Sequence, residues 1–121
     1  MQRALVIEDN ENNMELITFI LESSGYQTIR AVTGQEGLDC AESEQPDFII
    51  LDIQLPDILG TEVLKRIRAI DRLKKIPVIA MTSFAMAGDR EKMLQSGCDG
   101  YIEKPIDPML VIDQIRRILQ R

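Results

Sequence analysis

Short apolar runs alternate along this chain with longer stretches in which apolar residues recur every three or four positions. The first pattern is typical of buried strands and the second of amphipathic helices, so the alternation predicts strand–helix units and a parallel sheet. The predicted strands are Ala4–Ile7, Gln27–Arg30, Phe48–Leu51, Val78–Met81 and Gly100–Ile102. The first, third and fourth are unbroken apolar runs, as strands covered on both faces must be, whereas the mixed second and fifth strands belong at the edges.

The helical periodicity predicts five helices between and after these strands. Apolar stripes mark the first, third and fifth helices: Met14, Ile17, Ile20 and Leu21; Val63, Leu64, Ile67 and Ile70; Val111, Ile115, Ile118 and Leu119. Thr33 and Glu36 have capping-box spacing at the start of the second helix. The fourth is predicted at about Met86–Ser96, and Asp107 with Pro108 is predicted to begin the fifth as N-cap and first helical residue.

Five strand–helix units are too few for a (β/α)₈ barrel, so the pattern predicts an α/β fold with an open, doubly wound sheet. The expected strand order is the flavodoxin-like 2-1-3-4-5, in one domain spanning residues 1–121. We find no internal linker, repeat or low-complexity segment in the sequence. In such sheets, ligands bind where the strands have their carboxyl ends, which directs attention to the residues found there.

Composition narrows the classes of function. Hydrophobic residues make up 45% and charged residues 28% of the 121 positions, the balance of a globular domain. A net charge of −6 argues against nucleic acid and anionic membranes as partners. The absence of histidine excludes Ser/His, Cys/His and histidine–metal catalysis. The first apolar run is too short for a signal peptide, which favours the cytoplasm, and Cys40 and Cys98 lack metal-site spacing and are expected to be buried free thiols.

Chemically capable side chains follow the strands that border one crevice. They are Glu8 and Asp9, Asp52, Thr82 and Ser83, and Glu103 and Lys104. Three crowded carboxylates repel one another unless a cation neutralises them, and Mg²⁺ prefers such oxygen ligands. With the ion bound, one carboxylate becomes available as a nucleophile toward phosphorus, while the ammonium and hydroxyl groups stabilise the transferring phosphoryl group.

Each of these residues also has a purely structural interpretation. Asp9 or Asn10 can cap the first helix, and Asp52 can belong to a turn. Lys104 is more informative, because a proline directly after it can form a cis turn that directs the lysine into the crevice. Four separate strand ends with the required chemistry favour the functional interpretation.

The residues resemble the receiver domain of two-component response regulators over nearly the whole chain. The matching motifs are Val6–Asn10, Ile50–Asp57 followed by Gly60, Met81–Ser83 and Tyr101–Pro105. The stretches Asp52–Pro56 and Phe84–Asp89 look most like the single-domain DivK type, with a receiver module cut from a hybrid histidine kinase as the alternative.

The resemblance implies a metal site and a phosphate site. Asp52 would be the phosphoacceptor and a ligand of Mg²⁺, with Mn²⁺ as an alternative ion. Asp9 would bind the ion directly, Glu8 through water, and Gln54 through its backbone carbonyl. Glu8 departs from the aspartate that many receivers carry, and its longer side chain is expected to keep the pocket acidic but to alter the contacts around the ligands of the metal.

The resemblance also implies a switch rather than a turnover enzyme, one that catalyses only its own phosphorylation and dephosphorylation. Lys104 would pair with the phosphate, Thr82 would hydrogen-bond it, and Tyr101 would move from an exposed to a buried rotamer. Gln54 and Ser83, with Phe84, would tune the loss of phosphate. Expected partners are a histidine kinase or histidine phosphotransferase and a downstream protein target, with a homodimer on the face of the fourth helix, fifth strand and fifth helix as a further option.

Three other classes compete with this hypothesis. A Mg²⁺-dependent phosphatase of the haloacid dehalogenase type needs a second aspartate two residues after the nucleophile, where this chain has Gln54. A flavin or nucleotide module would cradle phosphate with glycine, serine and backbone N–H groups rather than with carboxylates. A degenerate receiver used only for docking would not need intact Asp52, Thr82 and Lys104.

Overall fold

The computed structural model describes residues 2–83 and 94–120. Its strands are β1 Arg3–Ile7, β2 Gln27–Ala31, β3 Phe48–Asp52, β4 Val78–Thr82 and β5 Gly100–Glu103. Its helices are α1 Glu11–Ser23, α2 Gly34–Glu44, α3 Gly60–Ala69 and α4 Val111–Leu119. Each predicted strand is therefore confirmed to within one residue at either end.

The five strands form one parallel sheet in the order β2-β1-β3-β4-β5, which confirms the predicted topology. Every residue of β3 and β4 is buried, as expected of central strands that carry helices on both faces. The edge strands β2 and β5 have mixed burial, also as expected.

Two apolar layers cover the two faces of the sheet. One contains α2 and α3 with side chains such as Leu38, Leu64 and Ile67, and the other contains α1 and α4 with side chains such as Leu21 and Ile115. The predicted stripes supply these contacts, because residues at a spacing of three and four share one face of a helix. The sheet therefore lies between two helical layers.

Local capping confirms where the first two helices begin. Asn10 accepts a hydrogen bond from the Asn13 backbone N–H at 3.0 Å, so Asn10 is the cap of α1. Thr33 accepts one from the Glu36 N–H at 3.1 Å, as the capping box requires. The return bond differs, since Glu36 Oε1 accepts from the Val32 N–H.

Other expectations need correction. Five helices were predicted, and four lie completely within the described residues; the predicted fourth helix, about Met86–Ser96, falls largely on residues 84–93, outside the described part of the chain. The last helix begins at Val111 rather than Pro108, since Asp107 caps a preceding turn through the Met109 N–H. Cys98 is buried and Cys40 only half-buried, and both are free thiols.

Arg68 ties the end of α3 to the chain before β5. Its guanidinium donates to the carbonyls of Gly97, Lys74 and Ile76 and to Asp99 Oδ2, at 2.7–3.0 Å. Asp99 Oδ2 also accepts from the backbone of β4 at 2.8 Å. We call this group of contacts the Arg68 clamp, and it fixes the approach to β5.

Candidate functional site

Asp52 is the last residue of β3 and is almost fully buried, with 3% of its surface exposed. Its Oδ1 atom accepts a hydrogen bond from the Gln54 backbone N–H at 3.0 Å. The start of α3 packs against the same strand end, where a Cβ at Gly60 would lie 2.5 Å from the Ile53 Cα atom. A glycine is therefore required there to bring α3 against the loop after Asp52.

Two further carboxylates follow β1, the strand next to β3. Glu8 is 4% exposed, whereas the Asp9 side chain is open to solvent. The loop curls around Glu8, whose Oε2 accepts from the Asn10 N–H at 3.2 Å. One carboxylate oxygen from each of Glu8, Asp9 and Asp52 lies within 4.8 Å of the other two, so the predicted acidic cluster is present.

Lys104 supplies the positive charge in this pocket. Its Nζ atom lies 2.7 Å from Glu8 Oε1 and 3.2 Å from Asp52 Oδ1, and the side chain is largely buried. The Lys104 backbone N–H continues the sheet by donating to the Thr82 carbonyl, and the peptide bond to Pro105 is cis, as the sequence suggested. Three carboxylates face one ammonium, so the protein's own side chains leave an excess of negative charge in this pocket.

Burial and the neighbouring carboxyl group both weaken Asp52 as an acid. Burial, followed by the neighbouring Glu8 carboxyl, raises the pKa of Asp52 from 3.8 to about 6, while the Gln54 N–H and the Lys104 ammonium act in the opposite direction. An ionised Asp52 is thus costly in the folded protein unless a further cation is present.

In the presence of a chelator, we expect Asp52→Asn to stabilise the protein against urea, but only at pH values at which the wild-type Asp52 carboxyl is ionised. A pKa raised on folding adds stability below the unfolded value of 3.8, and this contribution is lost as pH rises through about 6. The difference in urea midpoint between variant and wild type should therefore grow from pH ~4 to pH ~7. A difference independent of pH would contradict the assignment of the raised pKa to Asp52.

A cleft of about 560 Å³ opens beside the acidic cluster. Gln54 and Ser83 lie at its rim, where Ser83 Oγ donates to Gln54 Oε1 at 3.0 Å. Asn13 and Leu16 of α1 also line it, and sequence reasoning did not single them out. The sequence gives little indication that these two residues line a cleft. They lie on the outward side of α1, and the apolar stripe of α1 predicts only its contacts with the core.

The remaining predicted site residues lie on the neighbouring strands. Thr82 ends β4 and is 2% exposed, in register with Glu103 of β5. Tyr101 on β5 is half-buried against the α2–α3 layer. Phe84 lies outside the described residues. The structure thus gathers Glu8, Asp9, Asp52 and Lys104 into one pocket.

The pocket offers a magnesium ion the ligand chemistry it prefers. All three acidic side chains present oxygen atoms, one of them from a solvent-open residue, so an ion can keep waters while bound. The described part of the chain offers no other group of three or more such acidic or sulfur ligands.

The model of the response regulator receiver domain family matches residues 4–116 of the chain. The chain belongs to this family. Receiver domains are phosphoacceptor switches that bind Mg²⁺ at an acidic site, so the predicted class is confirmed. Family members act with histidine kinases or phosphotransferases and with downstream targets.

Relatives and solved structures agree with this membership. The polar-differentiation response regulator DivK of Brucella anthropi is 49% identical over 95% of this chain and 94% of its own length, and that of Brucella ovis is 48% identical over the same shares. A putative response regulator from Chloroflexus aurantiacus has a TM-score of 0.93 at 28% identity, covering 99% of this chain and 98% of that one. This receiver domain therefore closely matches the DivK type.

One solved structure bears on the metal. The receiver domain of a sensor histidine kinase from Pseudomonas aeruginosa PAO1 is 32% identical, with a TM-score of 0.90 over 99% of this chain and 98% of its own, and it holds a magnesium ion coordinated in its active site cleft.

Within residues 2–83 and 94–120 of this receiver domain, no helix is long and apolar enough to cross a bilayer.

Proposed function

We propose that this receiver domain accepts a phosphoryl group on Asp52 from a phosphohistidine donor, in a Mg²⁺-dependent reaction. The observation that carries the proposal is the pocket in which Glu8, Asp9 and Asp52 meet within 4.8 Å and Lys104 reaches two of them. A carboxylate oxygen of Asp52 forms a bond to phosphorus as the bond between phosphorus and the donor's imidazole nitrogen breaks.

The ligands proposed for the ion are Asp9 and Asp52 directly, Glu8 through water, and the backbone carbonyl of Gln54. Bound there, Mg²⁺ would neutralise the acidic cluster and the incoming phosphoryl oxygens. The chain's own groups position the acceptor, since the Gln54 N–H and Lys104 Nζ both contact Asp52 Oδ1. The magnesium-bearing receiver from Pseudomonas aeruginosa supports Mg²⁺ as the ion, and Mn²⁺, which takes the same oxygen ligands, stays the alternative.

Three residues are proposed to respond to the phosphoryl group. Lys104 would transfer part of its contact from Glu8 to a phosphoryl oxygen, because a dianionic phosphate attracts the ammonium more strongly. The buried Thr82 would hydrogen-bond the phosphate, and the half-buried Tyr101 on the next strand would follow inward. The changed surface would bind a downstream protein, and a cytoplasmic location stays a prediction.

A phosphatase is less well supported than a switch. The position two residues after Asp52 is Gln54, whose amide cannot act as acid or base, and its side chain is engaged by Ser83. We therefore propose that the only reactions catalysed are the domain's own phosphorylation and dephosphorylation.

The test is intact-mass measurement after incubation with acetyl phosphate and Mg²⁺. The wild type should gain the mass of one phosphoryl group, and Asp52→Asn should gain none. Asp57→Asn is the matched control, because Asp57 is an exposed carboxylate nearby that caps α2 through the Gly34 and Gln35 N–H groups. An adduct that persists unchanged in Asp52→Asn would refute the proposal.

A further inference from the structure

Helix α2 and the loop after it form a surface whose charged residues are all acidic. Residues 35–47 contain five acidic residues and no basic one. All five are exposed: Glu36, Asp39, Glu42, Glu44 and Asp47. Burial, followed by the charges of Glu36, Glu44 and Asp39, raises the pKa of the half-buried Cys40 thiol. We call residues 35–47 the acidic surface.

The neighbouring helix carries the opposite charge. Residues 65–75, which comprise the second half of α3 and the turn after it, contain six basic residues and one acidic residue. Arg68 is occupied by its clamp, and the other five basic side chains are exposed: Lys65, Arg66, Arg72, Lys74 and Lys75. We call residues 65–75 the basic surface.

The two surfaces do not neutralise each other within the chain. Among the ion pairs of the described residues, none joins α2 to the basic surface. Arg66 has only a 3.9 Å contact with Glu62 of the same helix, and Lys74 has only a 3.6 Å contact with Asp71. Glu44 contacts Arg3 instead. Most of the charge on both surfaces is therefore available to a partner.

Both surfaces extend to the amino ends of the strands, although the acidic surface begins near the carboxyl end of β2, where Glu36 contacts the Val32 N–H. Asp47 donates its N–H to the Arg3 carbonyl at the start of β1, and the Pro77 carbonyl accepts from Ile49 at the start of β3. The C-terminal end of the acidic surface and the chain directly after the basic surface thus reach the amino ends of the strands, whereas Asp52 lies at the carboxyl end of β3. No described residue that lines the cleft belongs to either surface, so a partner bound to these surfaces leaves the cleft open.

We propose that two copies of this chain associate through these surfaces, with the acidic surface of each copy against the basic surface of the other. A two-fold axis between α2 and α3 brings both complementary pairs together in one isologous contact. A nucleic acid or an anionic membrane fits the basic surface less well, because the adjacent acidic surface and the net charge of −6 repel an extended polyanion.

Charge reversal tests this association without touching the acidic pocket. In sedimentation velocity at about 20 mM NaCl the wild type should dimerise, and the dissociation constant should rise about tenfold or more at about 500 mM, because exposed charges are screened. The variants Lys65→Glu/Lys75→Glu and Asp39→Lys/Glu42→Lys should each be monomeric, and their equimolar mixture should form a heterodimer. Recovery in the mixture shows that both variants are folded.

The variant Arg116→Glu/Arg117→Glu is the control for Lys65→Glu/Lys75→Glu, since it makes the same change in net charge on α4, in the other helical layer. It should dimerise like the wild type. A wild type that stays monomeric at low salt would overturn the proposal, as would a mixture that fails to associate or a control that loses the dimer. Acetyl phosphate should label all variants equally, so this result is independent of the proposed function.

Discussion

Replacing Lys104 by glutamine is expected to slow phosphorylation of Asp52 by about one to two orders of magnitude. The ammonium contacts Glu8 and Asp52 in a buried pocket, where an electrostatic contact with the incoming phosphoryl group is strong. Glutamine keeps most of the length of the side chain and loses the charge. Intact mass against time with acetyl phosphate and saturating Mg²⁺ gives the rate.

A measurement of Mg²⁺ binding distinguishes a role of Lys104 in phosphoryl transfer from a loss of the structure of the site. Removing a cation from an acidic pocket should leave the affinity for Mg²⁺ unchanged or higher, which calorimetric titration can measure. Lys65→Gln, on the exposed side of α3, should phosphorylate at the wild-type rate. If Lys104→Gln matched the wild-type rate at saturating Mg²⁺, Lys104 would have no part in the transfer.

Arg68→Ala is expected to lower the free energy of unfolding by about 3 kcal/mol. The truncation leaves three backbone carbonyls without the guanidinium and leaves Asp99 without its cation. Both losses act on the segment that leads into β5 and hence to Lys104. Urea denaturation at neutral pH measures the change.

Arg66→Ala is the matched control for the clamp. Arg66 is exposed two residues away on the same helix, and its ion pair with Glu62 is 3.9 Å long. Exposed pairs contribute little, so the change in unfolding free energy should stay within about 0.5 kcal/mol. Equal losses in the two variants would show that the helix, and not the clamp, accounts for the stability.

The sequence pattern predicted the sheet well, because strands that are buried on both faces consist of apolar residues. The run Phe48–Asp52 is apolar up to its last residue and is buried throughout, so both its position and its central place in the sheet can be predicted. The start of α4 was harder. Asp107 and Pro108 are residue types that often begin a helix. Here Asp107 accepts hydrogen bonds from following N–H groups, as a helix cap does, but these bonds form a separate turn, and the helix begins three residues after Pro108.

The acidic pocket could be anticipated because strand order brings distant residues together. Glu8 and Lys104 are far apart in the chain, but β1, β3, β4 and β5 lie side by side with their carboxyl ends at one edge. Once the order 2-1-3-4-5 is predicted, the meeting of Glu8, Asp52 and Lys104 follows from it. The resemblance to receiver domains added the individual roles.

Polar contacts between residues that are far apart in the chain could not be predicted from the sequence. Arg68 looks like one more helix arginine among neighbours of the same charge, and nothing local indicates that it binds Gly97 and Asp99. Asp57 reads as a turn residue, yet it caps α2 from 23 positions away, through Gly34. Such contacts depend on packing between elements, which neither periodicity nor composition records.

The central claim is that the carboxylates around Asp52 accept a further anion only when a divalent cation lies among them. The most direct measurement is the mass of the wild-type protein after acetyl phosphate, with Mg²⁺ and with an excess of chelator. We predict one phosphoryl adduct with Mg²⁺ and almost none with chelator. An adduct of equal yield in both samples would contradict the account.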